Sequence, residues 1–372
     1  MRIRKVQGKS DLRRFVELPY RLYRDDPVWV PPLRSEQWAQ FDPRRNPMLE
    51  HCEYDLFLLE DGGQVVGRVT AFIDHLGLEV WGEPIGLFGS YECLDNDQAS
   101  WHLLETARRW LRQRGMRLMR GPWSFASQEW GLVLEGFVPS PVVMAPYNPP
   151  YYNDQLTCFG MQKAKDLLVY YIDCAEGYVI PERYLTLTDH VQEKYGVTVR
   201  AADMARLEEE VGLIVEVSNR SIAGNWGYYP VTEAEGQAIA RDLKPIVDPE
   251  AILIAEGPDG EAIGFAMAIP DVNVILHRMK GRLFPLGWLK LLRGLPRLRQ
   301  YRMWALGVVP AYQRKAIDAL LYRRLYEKLQ PREVRVEINY VLEDNAPMNN
   351  ALRRLGAKDL RRYRVYEMGI GN

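Results

Sequence analysis

With 372 residues, 47% of them hydrophobic and 26% charged, the chain has the composition of a globular protein, and at about 150 residues per domain two domains are expected. A formal net charge of −1 leaves no overall basic field to draw nucleic acid, so no nucleic-acid partner is expected. The four cysteines, Cys52, Cys93, Cys158 and Cys174, show no C-x-x-C spacing, which argues against a zinc cluster or redox motif and suits a reduced, cytoplasmic setting.

Met1–Lys5 is basic rather than apolar, and the one long uncharged run, Gly136–Asn153, is broken by five prolines, so no signal peptide or membrane span is expected. The first predicted strand is Tyr54–Glu60, followed by Gly63-Gln64-Val65-Val66-Gly67-Arg68-Val69-Thr70-Ala71-Phe72-Ile73-Asp74, which reads as a hairpin turn and a second strand. Ser90–Gln98 forms a turn with three carboxylates and no basic residue. A helix over Gln98–Arg114 follows, with Leu103, Leu104, Ala107 and Leu111 at helical spacing. Next come a short strand, Arg117–Arg120, and an aromatic insertion, Gly121–Trp130. Asn148-Pro149-Pro150 then leads to Phe159-Gly160-Met161 and the strand Leu167–Ile172.

The second half repeats this order. Ala251–Glu256 precedes Gly260-Glu261-Ala262-Ile263-Gly264-Phe265-Ala266-Met267-Ala268-Ile269-Pro270-Asp271, which matches the first copy in both glycines and the aspartate. Strand Ala305–Val309 runs into Pro310-Ala311-Tyr312-Gln313-Arg314-Lys315 and a helix over Ala316–Leu329, then strand Val334–Asn339. Asn345-Ala346-Pro347 leads to Leu355-Gly356-Ala357 and Arg364–Met368. Two domains of one fold, 1–175 and 176–372, explain the repeat.

The strand, basic turn and helix start at residues 305–321 form an anion site by elementary physics. Backbone N–H groups of a tight turn and of a helix's first turn converge on one point, and Gln313, Arg314 and Lys315 add donors and charge. The segment resembles the acyl-coenzyme A loop of the GCN5-related N-acetyltransferase (GNAT) superfamily, with Ala316 and Asp318 where that loop carries glycines. An alanine held at positive φ costs about 1–2 kcal/mol. Asp318 brings a carboxylate near the anion, or simply sits in a first helical turn as the dipole favours.

Together with Asn225-Trp226-Gly227-Tyr228-Tyr229-Pro230 and Glu343–Asn349, these features resemble a tandem GNAT protein of a bacterial branch across nearly the whole chain. The resemblance implies an α/β (α+β) fold: two GNAT-like domains in tandem, each a mixed, mostly antiparallel sheet flanked by helices. It implies an N-acyltransferase using acetyl-CoA or another acyl-CoA as co-substrate and an amine as acceptor. The alternative is a catalytically silent GNAT-fold protein that binds a small molecule or partner. The first copy, acidic where the loop should be basic, is expected to bind no coenzyme.

On this resemblance the cofactor-binding candidates are Val308, Val309, Gln313, Arg314, Lys315, Ala316, Ile317, Asp318, Ala319, Asn345 and Asn349. A backbone N–H at the end of Ala305–Val309 would polarise the thioester. Asn345 is equally read as an N-cap. Acceptor candidates are Asn225, Trp226 and Tyr228. Catalytic candidates are Glu337, which either faces the cleft or is solvated, and Tyr366, since Leu352–Leu355 lacks the tyrosine usual there. The five histidines show no metal-binding spacing, and no metal is expected. Arg278–Arg302 carries eight Lys or Arg and no acid, interleaved with leucines and Trp288. It reads either as a basic amphipathic element for an anionic membrane or as a helix packing its apolar face on the second domain.

Overall fold

In the computed structural model, which describes residues 1–125, 130–283 and 287–371, the chain divides into two units. The first comprises Met1–Leu167, Ile275–Trp288 and Arg361–Asn372; the second comprises Leu168–Val274 and Leu289–Leu360. The last strand of the chain thus counts mainly with the first unit, and the end of the first copy with the second.

The first unit contains strands β1 (Arg2–Lys5), β2 (Cys52–Asp61), β3 (Gln64–Asp74), β4 (Ile85–Cys93), β5 (Leu118–Gly121), β6 (Leu132–Glu135) and the start of β7 (Gln162–Asp173). Its helices are α1 (Gly8–Leu22), α2 (Arg34–Ala39), α3 (His75–Trp81), α4 (Asp97–Arg112) and α5 (Tyr151–Cys158). Strands β1 to β4 pair antiparallel in order, and β4 pairs parallel with β5. The chain's last strand, Lys358–Gly369, then pairs antiparallel with β5 through Tyr366↔Gly121. Helix α4 lies on the sheet because Leu103, Leu104, Ala107 and Leu111, one stripe at helical spacing, are fully buried. Its N-cap is Asn96, whose side chain accepts from the Ala99 N–H.

The second unit contains the end of β7, then β8 (Thr198–Ala201), β9 (Ile252–Glu256), β10 (Ala262–Pro270), β11 (Gln300–Val308), β12 (Arg335–Leu342) and the start of β13 (Lys358–Gly369). Its helices are α6 (Glu182–Tyr195), α7 (Leu207–Ile222) and α8 (Glu233–Leu243). The chain passes out of the unit in α9 (Asn273–Met279) and back in α10 (Gly287–Gly294), and α11 (Ile317–Leu329) and α12 (Ala346–Leu355) follow. Strands β8 to β11 are antiparallel in order, and β11 pairs parallel with β12. The two units therefore share one plan, an antiparallel meander closed by a single parallel pair.

Each residue matched between the two copies has a local physical reason. Gly63 and Gly260 turn their hairpins at φ +80° and +81°, where a side chain is strained. A Cβ on Gly67 would stand 3.0 Å from the Glu92 carbonyl oxygen, and one on Gly264 would stand 3.1 Å from that of Gly307, so both glycines admit a close neighbouring strand. Asp74 caps α3 by accepting from the Gly77 N–H, and Asp271 accepts from the Asn273 N–H.

Candidate functional site

In both units the parallel strands part. Pairing of β11 with β12 runs only from Gln300↔Arg335 to Met303↔Ile338, although both strands continue, and Trp304 is skipped in the register with β10 as a bulge. In the first unit, β4 and β5 pair only over Ile85–Leu87, and Ser90, at φ +45°, lies in the corresponding bulge. A bulge twists its strand and ends the ladder, which opens a gap of unpaired backbone.

The direction of that backbone follows from the antiparallel alternation. The Val309 N–H donates to the Ile263 carbonyl at 2.9 Å, so the polar groups of Val308 and Leu306 point the other way, into the gap. Of the two residues expected at the strand end, Val308 therefore turns its N–H toward the gap, and Val309 has its N–H already used. In the first unit the Leu94 N–H donates to Val66, which makes Cys93 the counterpart of Val308. There the gap is occupied: the Cys93 N–H donates to the Tyr152 hydroxyl at 2.9 Å, and its carbonyl accepts from the Tyr151 hydroxyl at 2.9 Å. Trp123 fills the remainder, its N–H donating to the Phe88 carbonyl at 2.8 Å and its ring stacked on Trp130 at 4.3 Å. Residues 126–129 of this insertion lie outside the described residues.

Beside this filled gap Glu92 accepts from the Tyr152 hydroxyl at 2.9 Å and from Tyr23, with Arg68 at 3.5 Å. Only 13% of its side chain is exposed. Burial pushes its carboxyl up from the ordinary range, opposed by Arg68 and the two hydroxyls. One residue before the strand end the first copy thus has an acid, Glu92, where the second has Gly307.

The loop after β11 is held in a defined conformation. A short 3-10 turn, Pro310–Tyr312, leads to Gln313, whose Nε2 donates to the Val308 carbonyl at 3.0 Å and to Ser221 at 3.3 Å, holding the loop against the end of α7. Arg314 and Ala316 both take the left-handed conformation, at φ +61° and +59°, and Ala316 is the N-cap of α11. The alanine thus adopts the backbone that a glycine would favour. Arg314 is exposed with no hydrogen bond or ion pair among the described residues. Lys315 lies over the rings of Tyr312 and Tyr195 at 4.5 and 5.2 Å. Ile317 and Ala319 anchor the helix in the core.

Asp318 stands in the first turn of α11, close to the backbone N–H groups of its own residue and of Ala319. Burial raises its pKa above the ordinary value, against the lowering pull of those groups. Tyr322, one turn on, is also raised by burial and by the Asp318 charge.

Glu337 is 4% exposed and accepts from Asn339 Nδ2 at 3.0 Å. It lies in register with the equally buried Arg302, one residue before the strands part, and so is not solvated. Asn345 caps α12 by accepting from the Met348 N–H. Asn349 is buried, accepting from the Tyr170 hydroxyl at 2.9 Å and donating to Leu342 at 3.0 Å, which ties α12 to the end of β12. Tyr366 lies in the core of the first unit, its hydroxyl donating to Asn153 Oδ1 at 2.8 Å.

Asn225, Trp226 and Tyr228 form the turn after α7. The Tyr228 hydroxyl donates to the Asn219 carbonyl at 3.1 Å, and Asn219 also holds Val231 through the Val231 N–H at 3.0 Å. Since Ser221 of the same helix accepts from Gln313, this turn and the anion loop share one support. Asn219 and Ser221 carried no sequence signal, because a polar residue near a helix end is ordinary. A Cβ on Gly307 would stand 2.2 Å from Ser221 Oγ, so this glycine is what lets α7 close on β11. Among the described residues His51, Cys52 and Asp74 form a group with metal-type ligand atoms within 4.8 Å of one another; in it Asp74 Oδ1 already meets His51 Nδ1 at 3.0 Å and the Gly77 N–H.

A meander with one splayed parallel pair feeding a loop and helix N-terminus, repeated twice, is the architecture of a tandem GNAT-fold protein. The chain has this fold over its full length: it matches a tandem GNAT protein from the clavulanic acid biosynthesis pathway with TM-score 0.60 and 14% identity, covering 100% of this chain and 99% of that one. It also matches a probable N-acyltransferase from Enterococcus faecalis with TM-score 0.53 and 11% identity, over 99% and 72% of the two chains. No protein-family model matches. The chain is 35% identical over 376 residues to Protein YghO of Escherichia coli, covering 99% of this chain and 95% of that protein. It is 33% identical over 374 residues to a bacterial ceramide synthase of Caulobacter vibrioides, over 98% and 96%. The chain belongs to the family of these two proteins.

Proposed function

We propose that this protein is an acyl-CoA-dependent N-acyltransferase with one coenzyme site, in the second unit, and a long-chain amine as acceptor. The observation that carries the reading is the loop at 313–318. Ala316 and Arg314 hold left-handed backbone, Arg314 is uncommitted, and α11 begins directly behind them. The first unit supplies the internal contrast, since Tyr151 and Tyr152 occupy the equivalent strand end. The acceptor class is carried over from the relative named as a ceramide synthase. A ceramide holds a fatty acyl group in amide linkage to a long-chain amino alcohol.

In this mechanism the pyrophosphate of the acyl-CoA substrate lies on the loop and the α11 N-terminus, and the thioester carbonyl accepts from the gap-facing Val308 N–H. The amine, with an unperturbed pKa of about 10, must first give up a proton, and Glu337 at the base of the splay takes it. Nitrogen then attacks the carbonyl carbon, the C–N bond forms and the C–S bond breaks. The thiolate leaves and takes up, directly or through water, the second proton that the nitrogen sheds as the amide forms. Asn225, Trp226 and Tyr228 wall the acceptor side.

The test is calorimetric titration with acetyl-CoA and a long-chain acyl-CoA, followed by mass spectrometry for amide formation over a panel of amines that includes long-chain amino alcohols. Binding and a new amide are expected. Absence of binding at millimolar ligand would remove the coenzyme role. Binding without any amide product would favour a catalytically silent, ligand-binding protein.

A further inference from the structure

The basic segment 278–302 takes no part in the loop or the splay, and the structure departs from the expectation that its apolar face is packed. Residues 284–286 of it lie outside the described residues. In α10 only Gly287 is buried. Trp288 and Leu292, one turn apart and so on one helical face, are 41% and 61% exposed. Leu291 and Leu295 extend the same face and are only partly covered. Lys290 and Arg293 project around the other side of the helix and Arg297 follows it, all three exposed. No acid lies anywhere between Arg278 and Arg302.

We infer that α10 is a docking element for an anionic lipid surface. An exposed tryptophan and leucine on one face of a cationic helix have the makeup of an interfacial helix, which inserts its apolar face at the headgroup and acyl boundary while its basic residues meet anionic headgroups. Of the eight cations in this acid-free run, Arg302 is buried and Arg299 pairs with Glu333 at 2.8 Å; the other six are exposed and complementary to such a surface. A protein partner of mixed charge gives no reason for the absence of acids. Each exposed lysine or arginine adds about fivefold to partitioning onto an anionic bilayer, so Lys290, Arg293 and Arg297 together contribute about 100-fold. This inference stands apart from the reading of the loop.

The experiment is sedimentation of the full-length protein with large vesicles of phosphatidylcholine, alone or with one third phosphatidylglycerol, at low and high salt. Binding is expected to the anionic vesicles only, and it should weaken as salt shortens the screening length. Neutralising Lys290, Arg293 and Arg297 to Gln should lower partitioning by about two orders of magnitude, and Leu292→Ser alone by about tenfold, because the variant has no leucine to insert there. All four side chains are exposed, so an unchanged circular dichroism spectrum is expected for both variants. Trp288→Phe should remove a blue-shifted component from the emission of the vesicle-bound protein. Equal binding to neutral and anionic vesicles, or to neither, overturns the inference. So does equally strong binding to a short RNA duplex with Leu292→Ser without effect, which would mean attraction by charge alone. Acetyl-CoA titration of the same samples reads the loop independently, so failure of one reading leaves the other visible.

Discussion

The backbone N–H of Cys93 donates to the hydroxyl of Tyr152 at 2.9 Å, and Cys93 holds in the first unit the strand-end position that Val308 holds in the second. The residue in the place of Tyr152 in the second copy is Met348, counting from Asn153 and Asn349 to the matched Gly160 and Gly356, and its sulfur, a weak acceptor, takes the Tyr322 hydroxyl at 3.2 Å instead. One repeat thus keeps its gap filled from within, and the other leaves a backbone donor facing it.

Substitutions in the filled gap should change stability and leave the ligand untouched. Tyr152→Phe removes the partner of both the Cys93 N–H and Glu92, at a cost of about 1–3 kcal/mol. Gly89→Ala should be worse, because its Cβ would fall 1.7 Å from the Trp123 carbonyl oxygen and backbone must move. Chemical denaturation measures both. Asp95→Ala should alter acetyl-CoA affinity in no measurable way, and a response there would transfer the coenzyme site to the first unit.

At the loop, Ala316→Gly should relieve the left-handed alanine, a gain of about 1 kcal/mol after the extra entropy of glycine, and should tighten acyl-CoA binding by admitting closer backbone approach. Ala316→Val should do the reverse. Arg314→Ala with Lys315→Ala should weaken binding by about two to four orders of magnitude, since each charge-assisted hydrogen bond to phosphate contributes about 1.5–3 kcal/mol. Calorimetric titration of the four proteins decides the set.

Asp318 sets a pH dependence whose sign follows from its raised pKa. Its folded form holds a proton more tightly than the unfolded chain does, so the cost of its buried charge is full at neutral pH and falls as pH drops through the folded pKa. Protonation also removes a negative charge from the first turn of α11, where an anionic ligand would lie. Acyl-CoA affinity should therefore rise as pH falls over that window, and Asp318→Asn should flatten the profile and bind more tightly at neutral pH. A profile that is identical in Asp318→Asn would assign the titration to another group.

The two units also carry matching tyrosine–asparagine bonds, Tyr170 to Asn349 and Tyr366 to Asn153. Tyr170→Phe leaves a buried amide oxygen without its donor and should cost about 1–3 kcal/mol, with acyl-CoA affinity unchanged. A loss of affinity without loss of stability would make Asn349 a ligand-binding residue instead of a helix tie.

The sequence by itself determined whatever a single residue imposes on its own backbone. Gly63 and Gly260 appear as hairpin turns, and Gln313–Ala316 as a turn into a helix, because φ preference acts within a few residues of chain. Those local demands, met twice in one order, were enough to read the tandem fold. Tertiary structure alone decided what depends on pairing between distant segments. It put Arg361–Gly369 with the first unit, it turned Val308 rather than Val309 toward the gap, and it closed the first gap with Tyr151, Tyr152 and Trp123. It also buried Glu337, which the sequence read as either facing the cleft or solvated, and left Trp288 and Leu292 41% and 61% exposed, where the pattern allowed either a packed or an open apolar face. A hydrophobic pattern specifies that a face can be covered; whether another segment arrives to cover it is a property of the whole chain.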